Sequence, residues 1–146
     1  MKMIVCLDQK NGVMFNNRRQ SRDIKVIEKM LDIVEGDPLL MTKYSAGLFG
    51  EAKPRNCYAL RDPLDSADED TFVLVEDNID IVNNNETIQN QIELLIVFRW
   101  DKVYPSDKKL EIDFGNLISS SEFKGNSHDK ITMEVYRRCY LEHVGE

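Results

Sequence analysis

The sequence predicts an α/β fold: one mixed sheet with a parallel centre and antiparallel C-terminal edge strands, helices on both faces, and a single domain over residues 1–146. Three observations carry this reading. Residues 3–8, 39–41, 72–75 and 94–98 are short runs that are apolar almost throughout, as strands covered on both faces are. Residues 22–34 place Ile24, Ile27, Met30, Leu31 and Val34 at i, i+3, i+4 spacing, which makes one apolar helix face. Near the end, Ile131, Met133 and Val135 alternate with Thr132, Glu134 and Tyr136, a period of two. Strand and helix alternate first and antiparallel patterning follows, the order expected of a parallel sheet with an antiparallel edge.

Each element has its own local signals. Asn11-Gly12 turns the chain after the first strand, and Val13-Met14-Phe15 forms a second apolar cluster. Ser21 is the expected N-cap of the helix, with Asp23 in its first turn, where the helix dipole favours a negative charge. Gly36 ends that helix and Pro38 follows it. Residues 45–49 read as one or two helical turns stopped by Gly50, and residues 57–60 as a short strand. Residues 61–70 read as an acidic, solvated loop, the least ordered interior stretch. In residues 79–92 the Asn83-Asn84-Asn85 run argues for a break, with a short helix after it. Residues 93–100 form a strong strand. Residues 109–114 alternate Leu110, Ile112 and Phe114 inward, as a half-exposed strand does, and Ser127-His128-Asp129 leads into a last strand over residues 130–140.

Composition narrows the function. With 42% apolar and 31% charged residues, the chain is an ordinary globular mix rather than a disordered one. At 146 residues it buries roughly two thirds of its unfolded surface. A net charge of −7 opposes non-specific contact with nucleic acid and anionic lipid, so neither is an expected partner. A local basic patch, or an acidic face for a basic protein, stays open. No apolar run approaches the ~18 residues of a membrane span, and the run after Lys2 is too short for a signal peptide. The expected location is cytoplasmic, with Cys6, Cys57 and Cys139 as reduced thiols. His128 and His143 are the only histidines and neither lies in a ligand-like cluster, so no metal site is expected. Nucleophilic triads fail as well, because no Cys or Ser stands at a recognisable motif spacing from a histidine. No phosphate-binding Gly-rich loop is present.

The segments taken together resemble the dihydrofolate reductase family over most of the chain. Residues 4–8 with Asn11-Gly12-Val13-Met14 are similar to its first strand and the start of its active-site loop. Asp23 stands where the family has the lone acidic residue that holds the pterin ring. Residues 38–45 resemble the second strand and following turn, and Lys43 and Ser45 fill the slots of residues that meet cofactor phosphates. Pro54-Arg55-Asn56-Cys57 resembles the stretch leading into the third strand. Glu93 to Phe98, Tyr104-Pro105, Ile112-Asp113, Phe123, Ser127-His128 and Glu134-Val135 look like the last three strands. The departures concern the cofactor. The family's fifth strand ends in a Gly-Gly pair beside the dinucleotide pyrophosphate, whereas here residues 72–75 run into Glu76-Asp77-Asn78. At ~4 Å and an effective dielectric near 20, a carboxylate facing phosphate costs about 4 kcal/mol. Residues 61–71 leave no room for the adenosine half of the cofactor site, and Asn16-Asn17-Arg18-Arg19-Gln20 replaces the family's Pro-Trp.

The resemblance implies a pterin-side pocket walled by Val5, Leu7, Met41, Ser45 and Phe49. Each candidate has two readings. Asp23 either pairs with the N–H/NH2 edge of a ligand or is a helix-start carboxylate satisfied by backbone N–H groups. Arg18, Arg19 and Arg22, the one dense basic cluster, either bind a phosphate, carboxylate or nucleotide or pair with surface acids. Lys43 and Ser45 keep an anion contact or simply shape a turn; Arg55 takes a ligand carboxylate or lies in a surface loop; Tyr44, Leu48 and Phe49 wall the pocket or pack the core. The expected protein is a non-catalytic or degenerate member that binds a small planar or nucleotide-type ligand, as a sink or sensor, without a cofactor. The alternatives are an NAD(P)H-dependent reductase, with NADPH as cofactor and Asp23 as catalytic residue, and an acidic interaction or inhibitor module for a basic protein. A homodimer through an exposed sheet edge is a further expectation.

Overall fold

The computed structural model describes residues 1–138; Cys139, His143 and the end of the last expected strand lie outside them. Strand β1 (Lys2–Leu7) is central in a seven-stranded sheet whose other members are β4 (Leu39–Met41), β5 (Cys57–Ala59), β6 (Phe72–Leu74), β7 (Leu94–Trp100), β9 (Asn116–Phe123) and β10 (Ile131–Arg137). The order is β5-β4-β6-β1-β7-β10-β9. β1 pairs in parallel with β6 and β7, and β4 with β5 and β6. β10 runs antiparallel to both β7 and β9. A second, three-stranded sheet holds β2 (Gly12–Phe15), β3 (Arg18–Arg19) and β8 (Lys108–Lys109), in the order β3-β2-β8.

Helices cover both faces, which is why the central strands read as unbroken apolar runs. On one face α1 (Ile24–Val34) buries Val26, Met30 and Val34 against Ile4, Leu39, Met41, Leu74, Ile96 and Phe98. On the other, α4 (Ile79–Asn83) and α5 (Glu86–Gln89) set Ile79, Val82 and Ile88 against Met3, Val5, Val73, Leu95 and Val97. Adjacent residues of β1 thus serve opposite cores, as the two-residue period of a strand requires. Met30 is fully buried. Met30→Ala is expected to cost about 2–5 kcal/mol in urea unfolding, while Asp32→Ala on the solvent face should stay within about 0.5 kcal/mol.

Four local expectations need correction. The N-cap of α1 is Asp23, not Ser21: its side chain accepts the Lys25 N–H. The helix stops on Glu35, which is itself left-handed at φ 47°, just before Gly36 at φ 89°. The acidic stretch contains a short helix, α3 (Pro63–Ser66), anchored by buried Pro63 and Leu64. Most of residues 109–114 is not strand: only Lys108 and Lys109 pair there, and the long edge strand is β9, exposed along all of its length but Phe123. A strand at a solvated edge need not carry an apolar pattern, because its pairing with β10 supplies the order. Between β4 and β5 lie α2 (Lys43–Ala46) and a 3-10 segment, Gly47–Ala52, kinked at Gly50 with φ 67°.

Candidate functional site

Arg19 closes the cleft beside α1. The β2–β3 hairpin turns on Asn16 and Asn17, at φ 50° and 62°, the double left-handed conformation that suits a two-residue hairpin loop and that asparagine tolerates. This hairpin brings Arg19 over the carboxyl ends of β1 and β6. Its Nε and Nη2 donate to Glu76 Oε2 at 2.9 Å and Oε1 at 3.0 Å, a bidentate pair. Its guanidinium carbon lies 4.6 Å from the centre of the Tyr44 ring, and its backbone N–H donates to the Tyr44 hydroxyl at 2.8 Å. Ser45 Oγ donates to Glu76 Oε1 at 2.8 Å. Glu76 is 6% exposed, and with both oxygens committed its charge is neutralised inside the chain. Burial and the Glu76 charge push the neighbouring Cys6 thiol up, so it stays protonated. What remains of the cleft, between Cys6, Arg19, Asp23, Met30, Leu48 and Trp100, is about 10 Å³, the lower limit for one water molecule.

Asp23 faces away from solvent. At 2% exposure, its Oδ1 accepts from Lys25 N at 2.9 Å and Asn126 N at 3.0 Å. Its Oδ2 accepts from Ser127 N at 2.9 Å, Ser127 Oγ at 3.1 Å and His128 Nδ1 at 3.0 Å. Gly125 allows this approach: a Cβ there would stand 2.2 Å from Asp23 Oδ2. Burial alone would raise the carboxyl, but the N–H groups of Ser127 and Asn126, with His128 and Lys25 N–H, more than offset it and hold Asp23 far below the usual carboxylate range. His128 is stacked on Trp100, with ring centres 4.5 Å apart and 23° between planes. Its Nε2 meets Ser21 Oγ at 2.8 Å and the Tyr104 hydroxyl at 3.2 Å. Asp8 fixes the last of these, accepting from Tyr104 N at 2.9 Å, Gly12 N at 2.8 Å and Gln20 Nε2 at 3.1 Å.

The residues expected to share one pocket therefore divide. Arg19 and Ser45 meet on Glu76. Arg22 and Asp23 border the small remnant, with Arg22 Nη2 donating to Leu48 O at 3.3 Å. Phe49 and Met41 pack on the α1 side, whereas Val5 and Leu7 point into the opposite core. Arg55 is exposed in the turn before β5, and Arg18 is exposed on the hairpin tip. Arg18 edges an open depression of about 470 Å³ with Phe15, Asn16, Gln20, Tyr104 and Pro105. Lys43 stands apart from all of these. It lines a groove of about 620 Å³ at the carboxyl ends of β4, β5 and β6, with Thr42, Tyr44, Ala59, Leu60, Arg61 and Asp77. There Thr42 caps α2 by accepting the Ser45 N–H and donates its hydroxyl to Asp77 at 2.7 Å. Arg61 is a groove cation that sequence reasoning passed over, because it opens what reads as a solvated acidic loop.

Ser21, His128 and Asp23 form a continuous serine–histidine–aspartate hydrogen-bond chain, although Ser21 and His128 are 107 residues apart. Among the described residues no three His, Cys, Asp or Glu side chains converge as a metal site would require, and no helix is long and apolar enough to cross a membrane.

No protein-family model matches the chain, and no curated protein matches it in sequence. Its fold is nonetheless similar to a solved one. Dihydrofolate reductase from Enterococcus faecalis, complexed with NADP(H) and RAB-propyl, superposes with a TM-score of 0.68 at 10% sequence identity, covering 95% of this chain and 96% of that one. The parallel centre, antiparallel C-terminal strands and helices on both faces are thus those of the dihydrofolate reductase fold, in a chain with little sequence in common with that structure.

Proposed function

We propose that this chain is a binding protein built on the dihydrofolate reductase fold, not a hydride-transferring enzyme, and that it holds a small anionic, nucleotide-type ligand in the groove at the carboxyl ends of β4, β5 and β6. The observation that carries the reading is the contrast between two spaces. The cleft beside Asp23 is closed by Arg19 and Glu76 to about 10 Å³, while the groove beside Lys43 and Arg61 is about 620 Å³ and open. Ligands of open α/β sheets bind outside the carboxyl ends of the strands. Lys43 and Arg61 supply charge there, against the single carboxylate of Asp77, and Tyr44 and Leu60 offer apolar surface for a planar ring.

The residues present do not fit a nicotinamide dinucleotide laid along the end of β6. A pyrophosphate needs close backbone approach, and Glu76 fills that position with a buried, internally paired carboxylate. Asp23 has no free oxygen lone pair aimed at a pterin edge, since five donors from its own chain converge on it. The groove can still take the phosphate end of a nucleotide. Each cation–phosphate contact contributes about 1.5–3 kcal/mol, roughly 10-fold to 100-fold in affinity.

Calorimetric titration of ADP and NADPH into the protein tests this. We expect binding of at least one that weakens more than about 10-fold in Lys43→Ala/Arg61→Ala, with no dihydrofolate-dependent loss of NADPH absorbance. Turnover of NADPH by the purified protein would replace this reading with the reductase one. No heat with either nucleotide at millimolar concentration would remove the groove as a nucleotide site.

A further inference from the structure

We propose that Ser21, His128 and Asp23 form a nucleophilic centre, with Ser21 Oγ as acyl acceptor, His128 Nε2 as general base and Asp23 as the residue that positions the imidazole. The centre uses the β3–α1 connection and the turn before β10, so it is separate from the strand-end groove.

The proton placement follows from the contacts. Asp23 Oδ2 is an ionised acceptor, so the His128 nitrogen 3.0 Å away, Nδ1, carries the hydrogen. In the neutral imidazole Nε2 is then the bare nitrogen. In that form the Ser21 hydroxyl, 2.8 Å from Nε2, is placed to donate to it, at a shorter distance than the Tyr104 hydroxyl at 3.2 Å. This is the arrangement in which a serine hydroxyl is activated: nucleophile on base, base on orienting carboxylate. The ring is held in plane by its stack on Trp100, and Asp23 is locked by four further hydrogen bonds. A purely structural histidine would be satisfied by Asp23 on one side and the Tyr104 hydroxyl on the other. Ser21 adds a second hydroxyl on the same lone pair, and unlike His128 it is only half-buried.

The chemistry balances with a small ester and water. Ser21 Oγ bonds to the acyl carbon, its proton passes to His128 Nε2, and the carbonyl π pair becomes an oxyanion. Protonated Nε2 no longer accepts from Tyr104, whose O–H, 3.2 Å away, is released to donate to that oxyanion. Collapse breaks the ester C–O bond, and the leaving alkoxide takes the proton from Nε2. Water repeats the sequence on acyl-Ser21 and releases the carboxylic acid. Ser21 borders only the remnant of about 10 Å³, and the cavity of about 170 Å³ beside His128 is not lined by it, so a substrate reaches Ser21 from its half-exposed side and the substrate class is limited to small acyl esters.

The test is labelling of the full chain with a small alkyl fluorophosphonate, followed by peptide mapping, with p-nitrophenyl acetate hydrolysis measured alongside. Ser119, Ser120 and Ser121 are exposed on β9 and serve as internal controls. General-base assistance predicts Ser21 modification at least on the order of 100-fold faster than at these serines, and loss of both adduct and esterase activity in Ser21→Ala. A Ser21 that stays unmodified, or reacts no faster than Ser119–Ser121, overturns the proposal. So does esterase activity unchanged in Ser21→Ala, and the mapping needs no variant to fold.

Discussion

Asp23→Asn is expected to destabilise the protein by about 3–5 kcal/mol in urea unfolding at pH 7, with the slope of the transition unchanged. Volume is conserved and asparagine is itself a good N-cap, so neither packing nor capping accounts for the loss. The cause is donor against donor. Oδ1 faces two N–H groups, from Lys25 and Asn126, and Oδ2 faces Ser127 N–H, the Ser127 hydroxyl and His128. Whichever way the amide turns, its NH2 meets at least two donors in a site that is 2% exposed. Each buried group left unpaired costs about 1–3 kcal/mol, a large part of a total stability of roughly 5–15 kcal/mol. The pH profile carries the same signature. Asp23 has a depressed folded pKa, so its contribution is complete above the unfolded value near 3.9 and is lost as pH falls below it. Between about pH 4 and lower values the unfolded chain binds the extra proton, and wild-type stability rises with pH there. Asp23→Asn should remove that part of the slope. A loss under about 1 kcal/mol would mean the carboxylate is not committed to residues 124–128, and Asp23 would again be available to a ligand edge.

What could be read from the sequence, and what could not, divides along physical lines. β4 and β6 are legible because burial on both faces leaves only apolar residues, and β7 because it does so from Leu94 to Phe98. Helix α1 is legible from its spacing, although Ile24, counted on the apolar face, is 46% exposed. β9 is illegible: Ser119-Ser120-Ser121 shows neither period nor hydrophobicity, and the strand exists through its ladder with β10. The candidate site fails at two other points. Val5 and Leu7 lie on the face opposite Asp23, because a strand's alternation does not reveal which face a given helix will cover. The partners of Asp23 are 103 to 105 residues away at Asn126, Ser127 and His128, and no local pattern links the two. Glu76 stands out in the sequence as a carboxylate misplaced for phosphate; its neutralisation by Arg19 depends on a hairpin whose register only the fold supplies.

Arg19→Met should cost about 3–4 kcal/mol at pH 7, and much less in acid. Methionine keeps the apolar stem against Tyr44 and removes the guanidinium. Glu76 is then a carboxylate with a 7% exposed side chain and a single remaining side-chain donor, the Ser45 hydroxyl. An uncompensated buried charge costs about 3–5 kcal/mol, but the group has an escape, which is to bind a proton. Protonating a glutamate of ordinary pKa near 4.3 at pH 7 costs about 3.7 kcal/mol, and this caps the loss. The sign follows. The variant buries an uncompensated carboxylate that water would solvate in the unfolded chain, so its stability should fall as pH rises, by up to about 1.4 kcal/mol per unit. Wild type should lack this dependence, since Arg19 compensates the buried Glu76 charge. Glu76→Gln should cost less than Arg19→Met, because Arg19, with a 23% exposed side chain, can turn toward water whereas Glu76 cannot. The double variant Arg19→Met/Glu76→Gln should recover most of the loss, giving a coupling of about 2 kcal/mol or more in the cycle. Equal single-variant costs, or an Arg19→Met loss that does not depend on pH, would show that water reaches Glu76. The cleft beside Asp23 would then be open rather than plugged, and the ligand would have to be sought there instead of in the groove of Lys43 and Arg61.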